Sequence, residues 1–197
     1  MLKKDLKVVE GRGRQEIKPL LDQHHYLSSV GGFRVGINYT LEHPDLGVVG
    51  VCIFTSFPVP ELVVGCFGLG RGEQEGMFEL SRLCLDPRVQ SEVHNCASWF
   101  VAQCLRRLRK GRLVRAVLSY ADSDYHKGTV YRALGFKYYG LSAPRKDFWV
   151  LQDDGTYKKH TRGPTRGLKG EWRPRSRKHR YLIVYDPTLQ VKWKEER

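Results

Sequence analysis

Between Met77 and Leu141 the chain changes element type in an order that few folds accommodate. Met77–Leu85, MFELSRLCL, reads as a strand, and Cys96–Lys110 as an amphipathic helix with Ala97, Val101, Cys104, Leu105 and Leu108 as its buried stripe. Ala116–Tyr120 is a short apolar run that suits a buried strand, and it delivers Asp122 to its end. A second helix is predicted from near His126 to Leu134–Gly135, capped by Ser123 or Asp124, and Phe136–Leu141 is again a strand. Strand, helix, strand, helix, strand in that order points to an α/β (α+β) class: a single-domain mixed sheet flanked by helices.

The flanks fill out that sheet. Residues 1–13 are basic and form a strand or arm. Gln15–Tyr26 reads as a helix with Ile17, Leu20 and Leu21 on one face, which puts Pro19 in its first turn. Gly32–Tyr39 and Val48–Phe57 form a hairpin around the turn sequence HPDLG. Leu62–Phe67 leads into the tip GLGRGEQEG, a loop without the strand–GxGxxG–helix context of a dinucleotide site. Asn95 is placed to cap the 96–110 helix, and Phe136–Leu141 and Phe148–Leu151 are expected to pair. The alternation in Met77–Leu85 sets Phe78, Leu80, Arg82 and Cys84 against Glu79, Ser81, Leu83 and Leu85.

Charge narrows the partner. The formal net charge is +13, which points first to a polyanion. Lys158–Arg180 holds ten Lys or Arg and one acid, interleaved with Gly, Pro, His160 and Trp172. It reads as a basic insertion over about 155–180, an extended arm lying on phosphates with an aromatic available to stack or wedge. A solvated loop is the plainer alternative. Arg106, Arg107, Arg109, Lys110, Arg112 and Arg115 crowd the exit of the 96–110 helix, more cations than a helix C-terminus needs. Five scattered cysteines without CxxC spacing read as reduced core residues. No apolar run reaches membrane length and no export signal is visible, so a cytoplasmic protein is expected.

Two stretches carry candidate chemistry. His24-His25-Tyr26 beside Ser28-Ser29 and Gly31-Gly32 suits metal ligation or acid–base work, or simply a helix end with surface histidines. Asp122 at a strand end, with Tyr131 on the following helix, suits a crevice site; the alternative is a capping Asp122 and a core Tyr131.

HHYL (24–27), ELSRL (79–83), NCASWFVAQCLRRL (95–108), SYAD (119–122) with GTVYRALGFKYYG (128–140), and RKHRYL (177–182) together resemble the Mom family of phage DNA-modification proteins. The resemblance covers about residues 20 to 185. It implies a fold like the GNAT N-acetyltransferases and transfer of a carbamoylmethyl-type group to N6 of adenine in double-stranded DNA, protecting phage DNA from host restriction inside the bacterial cell. It implies that Asp122, Tyr131, Tyr26 and Ser119 act in catalysis, and that His25, Tyr26, Asp122 and Tyr131 hold a metal, Fe(II) being compatible with those donors. Arg106, Arg107, Lys158, Lys159, Arg162, Arg166, Arg173, Arg175, Arg177 and Lys178 would then meet the nucleic acid. Glu79 and Arg82 are weaker candidates. One departure concerns the donor. Where acetyltransferases of this fold place a glycine-rich pyrophosphate loop, Asp86–Asn95 has no glycine, which argues against acetyl-CoA and leaves the group donor open. The oligomeric state is also open, a homodimer included. Two other functions compete: N-acyl transfer to a small molecule or protein, and non-catalytic DNA binding in anti-restriction or defence.

Overall fold

Polar–apolar alternation and two crossover helices build a seven-stranded sheet. A computed structural model describes residues 1–25, 33–161 and 163–196. The sheet contains β1 (Lys7–Glu10), β2 (Ile37–His43), β3 (Gly47–Ser56), β4 (Met77–Leu85), β5 (Ala116–Asp122), β6 (Lys137–Leu141) and β10 (Lys178–Val184), in the order β1-β2-β3-β4-β5-β10-β6. The β4–β5 pair is parallel and its neighbours are antiparallel. A parallel pair needs a crossover, and α3 (Pro87–Glu92) with α4 (Cys96–Gly111) supplies it.

Both faces of the sheet are covered. On one, α4 buries Phe100, Val101, Cys104, Leu105 and Leu108 against Tyr39, Cys52, Phe54, Leu80 and Val117. Each such side chain contributes about 1.5–3 kcal/mol on burial. On the other, α1 (Arg14–His24) sets Ile17, Leu20 and Leu21 on Val51, Ile53 and Cys84. Beside it, α2 (Glu61–Phe67) covers Met77, Ala116 and Leu118. All five cysteines are free and buried.

Several local expectations change. Pro19 is the sixth residue of α1, not part of its first turn, because the helix starts one residue earlier behind Gly13. The apolar face on β3 and β4 outweighs the one hydrogen bond that a proline removes. Asn95 precedes α4 in a left-handed conformation (φ 55°) and makes no side-chain cap. The second crossover helix, α5, is only Thr129–Ala133. Its start is set by Gly128 at φ 69°, where a Cβ would lie 2.2 Å from the Tyr181 ring. Only glycine tolerates both demands. In β4 the register shifts between the Ile53–Arg82 and Phe54–Leu80 pairs, with Ser81 as the extra residue, its hydroxyl donating to the Ile53 carbonyl (3.2 Å). This bulge reverses the expected faces: Leu83 and Leu85 join Leu80 under α4, and Cys84 turns to α1.

The basic insertion is a sheet, not an extended arm. β7 (Arg145–Leu151) does not pair with β6; it is the centre of a second sheet, β8-β7-β9, with β8 (Tyr157–Lys159) and β9 (Gly170–Arg175). β6 instead pairs with β10. This second sheet is inserted between those two strands, at the end where β5 finishes, since Lys178 pairs with Asp122 and His179 with Leu141. Among the described residues no helix is long and apolar enough to cross a membrane.

Candidate active site and nucleic-acid interface

The parallel ladder between β4 and β5 runs from Met77–Ala116 to Leu80–Ser119 and stops there. Beyond it the bulged β4 follows β3, and β5 follows β10. The strands part, leaving a cavity of about 510 Å³. His24 and His25 at the end of α1, Ser81–Leu85 of β4, Tyr120 and Ala121 of β5, Ala97 of α4 and the segment from Tyr125 to Tyr131 line it. A bulged strand, a strand end and a glycine-started helix therefore define the space.

Its electrostatics come from His25, Arg82, Glu79 and Tyr120. Burial, then the charges of Arg82 and His126, pull the His25 imidazole down to about 4, so it is neutral at pH 7. Burial pushes the Glu79 carboxyl up, against the pull of Arg82, and pushes the Tyr120 phenol up, with Glu79 adding to it. Arg82 donates from one terminal nitrogen to the Ser81 carbonyl (2.7 Å). Its Nε is buried with no hydrogen-bond partner among the described residues. Arg82 lines the cavity, so its guanidinium is a cation available there to an oxygen-bearing ligand.

The expected cluster divides. His25 and Tyr131 stand at the cavity wall. Tyr131 is also buried in the core, its ring 5.7 Å from that of Phe136 and 5.4 Å from that of Tyr181. The Asp122 carboxylate is outside the lining. It accepts from Lys178 Nζ, from Ser176 Oγ (2.9 Å) and from the Asp124 N–H (3.2 Å). Burial alone would raise this carboxyl, but those bonds together take it below the ordinary range. Asp122 thus ties the end of β5 to the root of the second sheet. Ser119 is buried and donates to the Leu80 carbonyl (3.1 Å), closing the last rung before the strands part. Tyr26 lies outside the described residues. Among the described residues no three His, Cys, Asp or Glu side chains come together as metal ligands. With Asp122 engaged by a lysine ammonium, the described donors do not by themselves fit an iron ion.

The basic residues also divide. Lys158 and Arg166 are exposed, and Arg162 lies outside the described residues. Lys159 and Arg175 flank Asp147, and Arg173 pairs with Glu171 while stacking over Trp149 (4.9 Å) and Tyr157 (4.4 Å). Arg177 donates to the Ser142 carbonyl (2.7 Å), and Lys178 is held by Asp122. These five residues support the inserted sheet. Arg106 and Arg107 are exposed on α4, nine and ten residues past the cavity-lining Ala97 and so about 14 Å or more from it. The structure does not bring them to the cavity end. Of the cations that follow, Arg109 lies over Tyr185, Arg112 pairs with Glu10 and Arg115 with Asp186. Lys178 and Ser176 as partners of Asp122 have no local sequence signal, because they are 56 and 54 residues away.

A mixed sheet whose central parallel strands part over a cavity defines a GNAT-type transferase fold. Solved structures bear this out at low identity, and for the fold alone. The ribosomal-protein-S18-alanine N-acetyltransferase from Escherichia coli is similar at 10% identity, with 94% of this chain and 99% of that chain covered and a TM-score of 0.53. A GNAT-family acetyltransferase from Streptococcus pneumoniae is similar at 7% identity over 91% and 99%, with a TM-score of 0.51. No curated protein matches the chain. The family model of the Mom protein family matches residues 8–197, so the chain belongs to that family, a family of phage DNA-modification proteins.

Proposed function

We propose that the chain transfers a carbamoylmethyl-type group to N6 of adenine in double-stranded DNA, shielding phage DNA from host restriction. The observation that carries this reading is the cavity between the parting strands, opening at the same end as a basic inserted sheet, in a chain matched to the Mom protein family over residues 8–197. Adenine N6 lies inside the duplex, so the base must leave the stack, at a cost of a few kcal/mol. A cavity of about 510 Å³ can admit a single base. In the transfer, the N6 lone pair forms a bond to the electrophilic carbon, the carbon–donor bond breaks, and N6 loses a proton. In this reading the His25 imidazole at the cavity wall takes that proton and the Arg82 guanidinium holds an oxygen of the transferred group. Asp122 acts as a positioning residue through Lys178 and Ser176. The absence of glycine from Asp86–Asn95, which carries α3, supports a donor other than acetyl-CoA.

The test is mass spectrometry of nucleosides from cells expressing the protein, beside His25→Ala and Arg82→Ala variants of equal solubility. A deoxyadenosine heavier by a carbamoylmethyl group, present with the intact protein and lost in both variants, is expected. Unmodified deoxyadenosine from well-expressed protein in phage-infected cells overturns the reading.

A further inference from the structure

The inserted sheet has two unlike faces. The register puts Asp147, Trp149, Glu171, Arg173 and Arg175 on one, where acids and cations pair with each other. The other carries Lys146, Phe148, Trp172 and Lys158, with no acidic residue in its strands. On that face Phe148 is buried while Trp172 is 56% exposed, their ring centroids 5.2 Å apart. Phe148 also meets the edge of His160. The indole, on the edge strand β9, is thus propped by a fixed ring, with Lys146 on β7 and Lys158 on β8 across the same face. One side of the indole packs on Phe148, and the rest of it stands free on a face that carries cations and no acid in its strands.

The sheet is rooted beside the cavity. Ser176 and Lys178, which follow β9, hold Asp122, the residue after the cavity-lining Tyr120 and Ala121. Arg145, at the start of β7, is near enough to lower the Tyr120 phenol electrostatically. Arg145 pairs with Arg175, and Phe148 with Trp172, three residues farther out. Three strand residues span about 10 Å.

From this we infer that the Lys146–Lys158–Trp172 face docks on duplex DNA and that Trp172 wedges into the base stack near the adenine taken into the cavity. The inference rests on the DNA reading above. Lysines without acidic partners suit phosphates on either side of a groove, and an aromatic wedge lowers the cost of taking a nearby base out of the stack. It adds a specific contact that charge alone does not supply.

The experiment measures affinity for an A·T-rich duplex against salt, with permanganate reactivity of the thymines as the readout of unpaired and unstacked positions. The full-length protein is compared with Trp172→Ala and Trp172→Phe, each checked by thermal melting. Wild type is expected to bind with steep salt dependence and to expose two separate thymine positions, one opposite the extruded adenine and one at the wedge. Trp172→Ala should bind about tenfold more weakly at an unchanged salt slope and lose one of the two reactive positions. Trp172→Phe should restore much of both. A Trp172→Ala protein that binds and unstacks like wild type overturns the wedge and leaves the DNA reading standing. A wild-type protein that does not bind duplex DNA overturns both.

Discussion

A carboxyl and a guanidinium on one bulged strand decide much of the cavity's chemistry. Glu79 and Arg82 of β4 feel each other's charge, and burial dominates: the Glu79 carboxyl is raised above its ordinary 4.5 although Arg82 pulls it back. A raised folded value means the fold prefers the protonated acid. Glu79 therefore imposes no penalty below its unfolded value, and stability is lost as pH rises through the folded value. Glu79→Gln keeps the shape and removes the charge. The variant is expected to unfold at higher urea than wild type at pH 7 and at the same urea concentration at pH 4. Equal midpoints at pH 7 would show that the Arg82 charge offsets the desolvation of Glu79.

Between elements, the turn that joins β5 to α5 is the most constrained. Gly128 carries φ 69° and sits over the fully buried Tyr181, whose hydroxyl donates to the Lys127 carbonyl. Alanine there meets a left-handed penalty of about 1 kcal/mol and a ring it can displace only by breaking that bond. Gly128→Ala is expected to destabilise by at least about 2 kcal/mol, lowering Tm by about 4–8 °C in calorimetry. A change below 1 °C would mean that Tyr181 has room to move. None of this was visible in the sequence, where a cap at Ser123 or Asp124 was the natural expectation for α5. Those residues serve the end of β5 instead: Asp124 N–H donates to Asp122, and Ser123 N–H to the Arg177 carbonyl. Elements with a clean apolar period were legible to within a residue or two, as β4, β5 and α4 show. The bulge at Ser81 was not, because a bulge is set by cross-strand register with β3. Nor was the β8-β7-β9 sheet. Its strands are basic on both faces and are held by ion pairs and arginine–aromatic stacks, so they carry no apolar alternation. In the site, His25, Asp122 and Tyr131 were legible as residues, but their separation into two cavity-wall groups and one anchoring carboxylate was not. The partners that pull Asp122 out of the lining lie beyond a whole inserted sheet.

Across the whole molecule, two groups of cations have different duties. At the start of β5, Arg109, Arg112 and Arg115 are each matched to Tyr185, Glu10 or Asp186, which fasten the edge strand and the segment after β10. At the far end, where the cavity opens, Lys146 and Lys158 lie on the inserted sheet without acidic partners in its strands. β5 spans seven residues between the groups, about 20 Å. A duplex seated on the inserted sheet therefore meets Arg106 and Arg107 only if it runs along β5 toward the helix exit. Each phosphate contact contributes about 0.9 to the slope of log K against log salt. Lys146→Ala combined with Lys158→Ala is therefore expected to lower that slope by about 2. Arg106→Ala combined with Arg107→Ala should leave both slope and affinity unchanged, measured by fluorescence anisotropy on a labelled duplex between 50 and about 200 mM salt. An equal loss of slope in both pairs would require DNA that runs from the inserted sheet down along α4, and would make the helix exit part of the DNA interface.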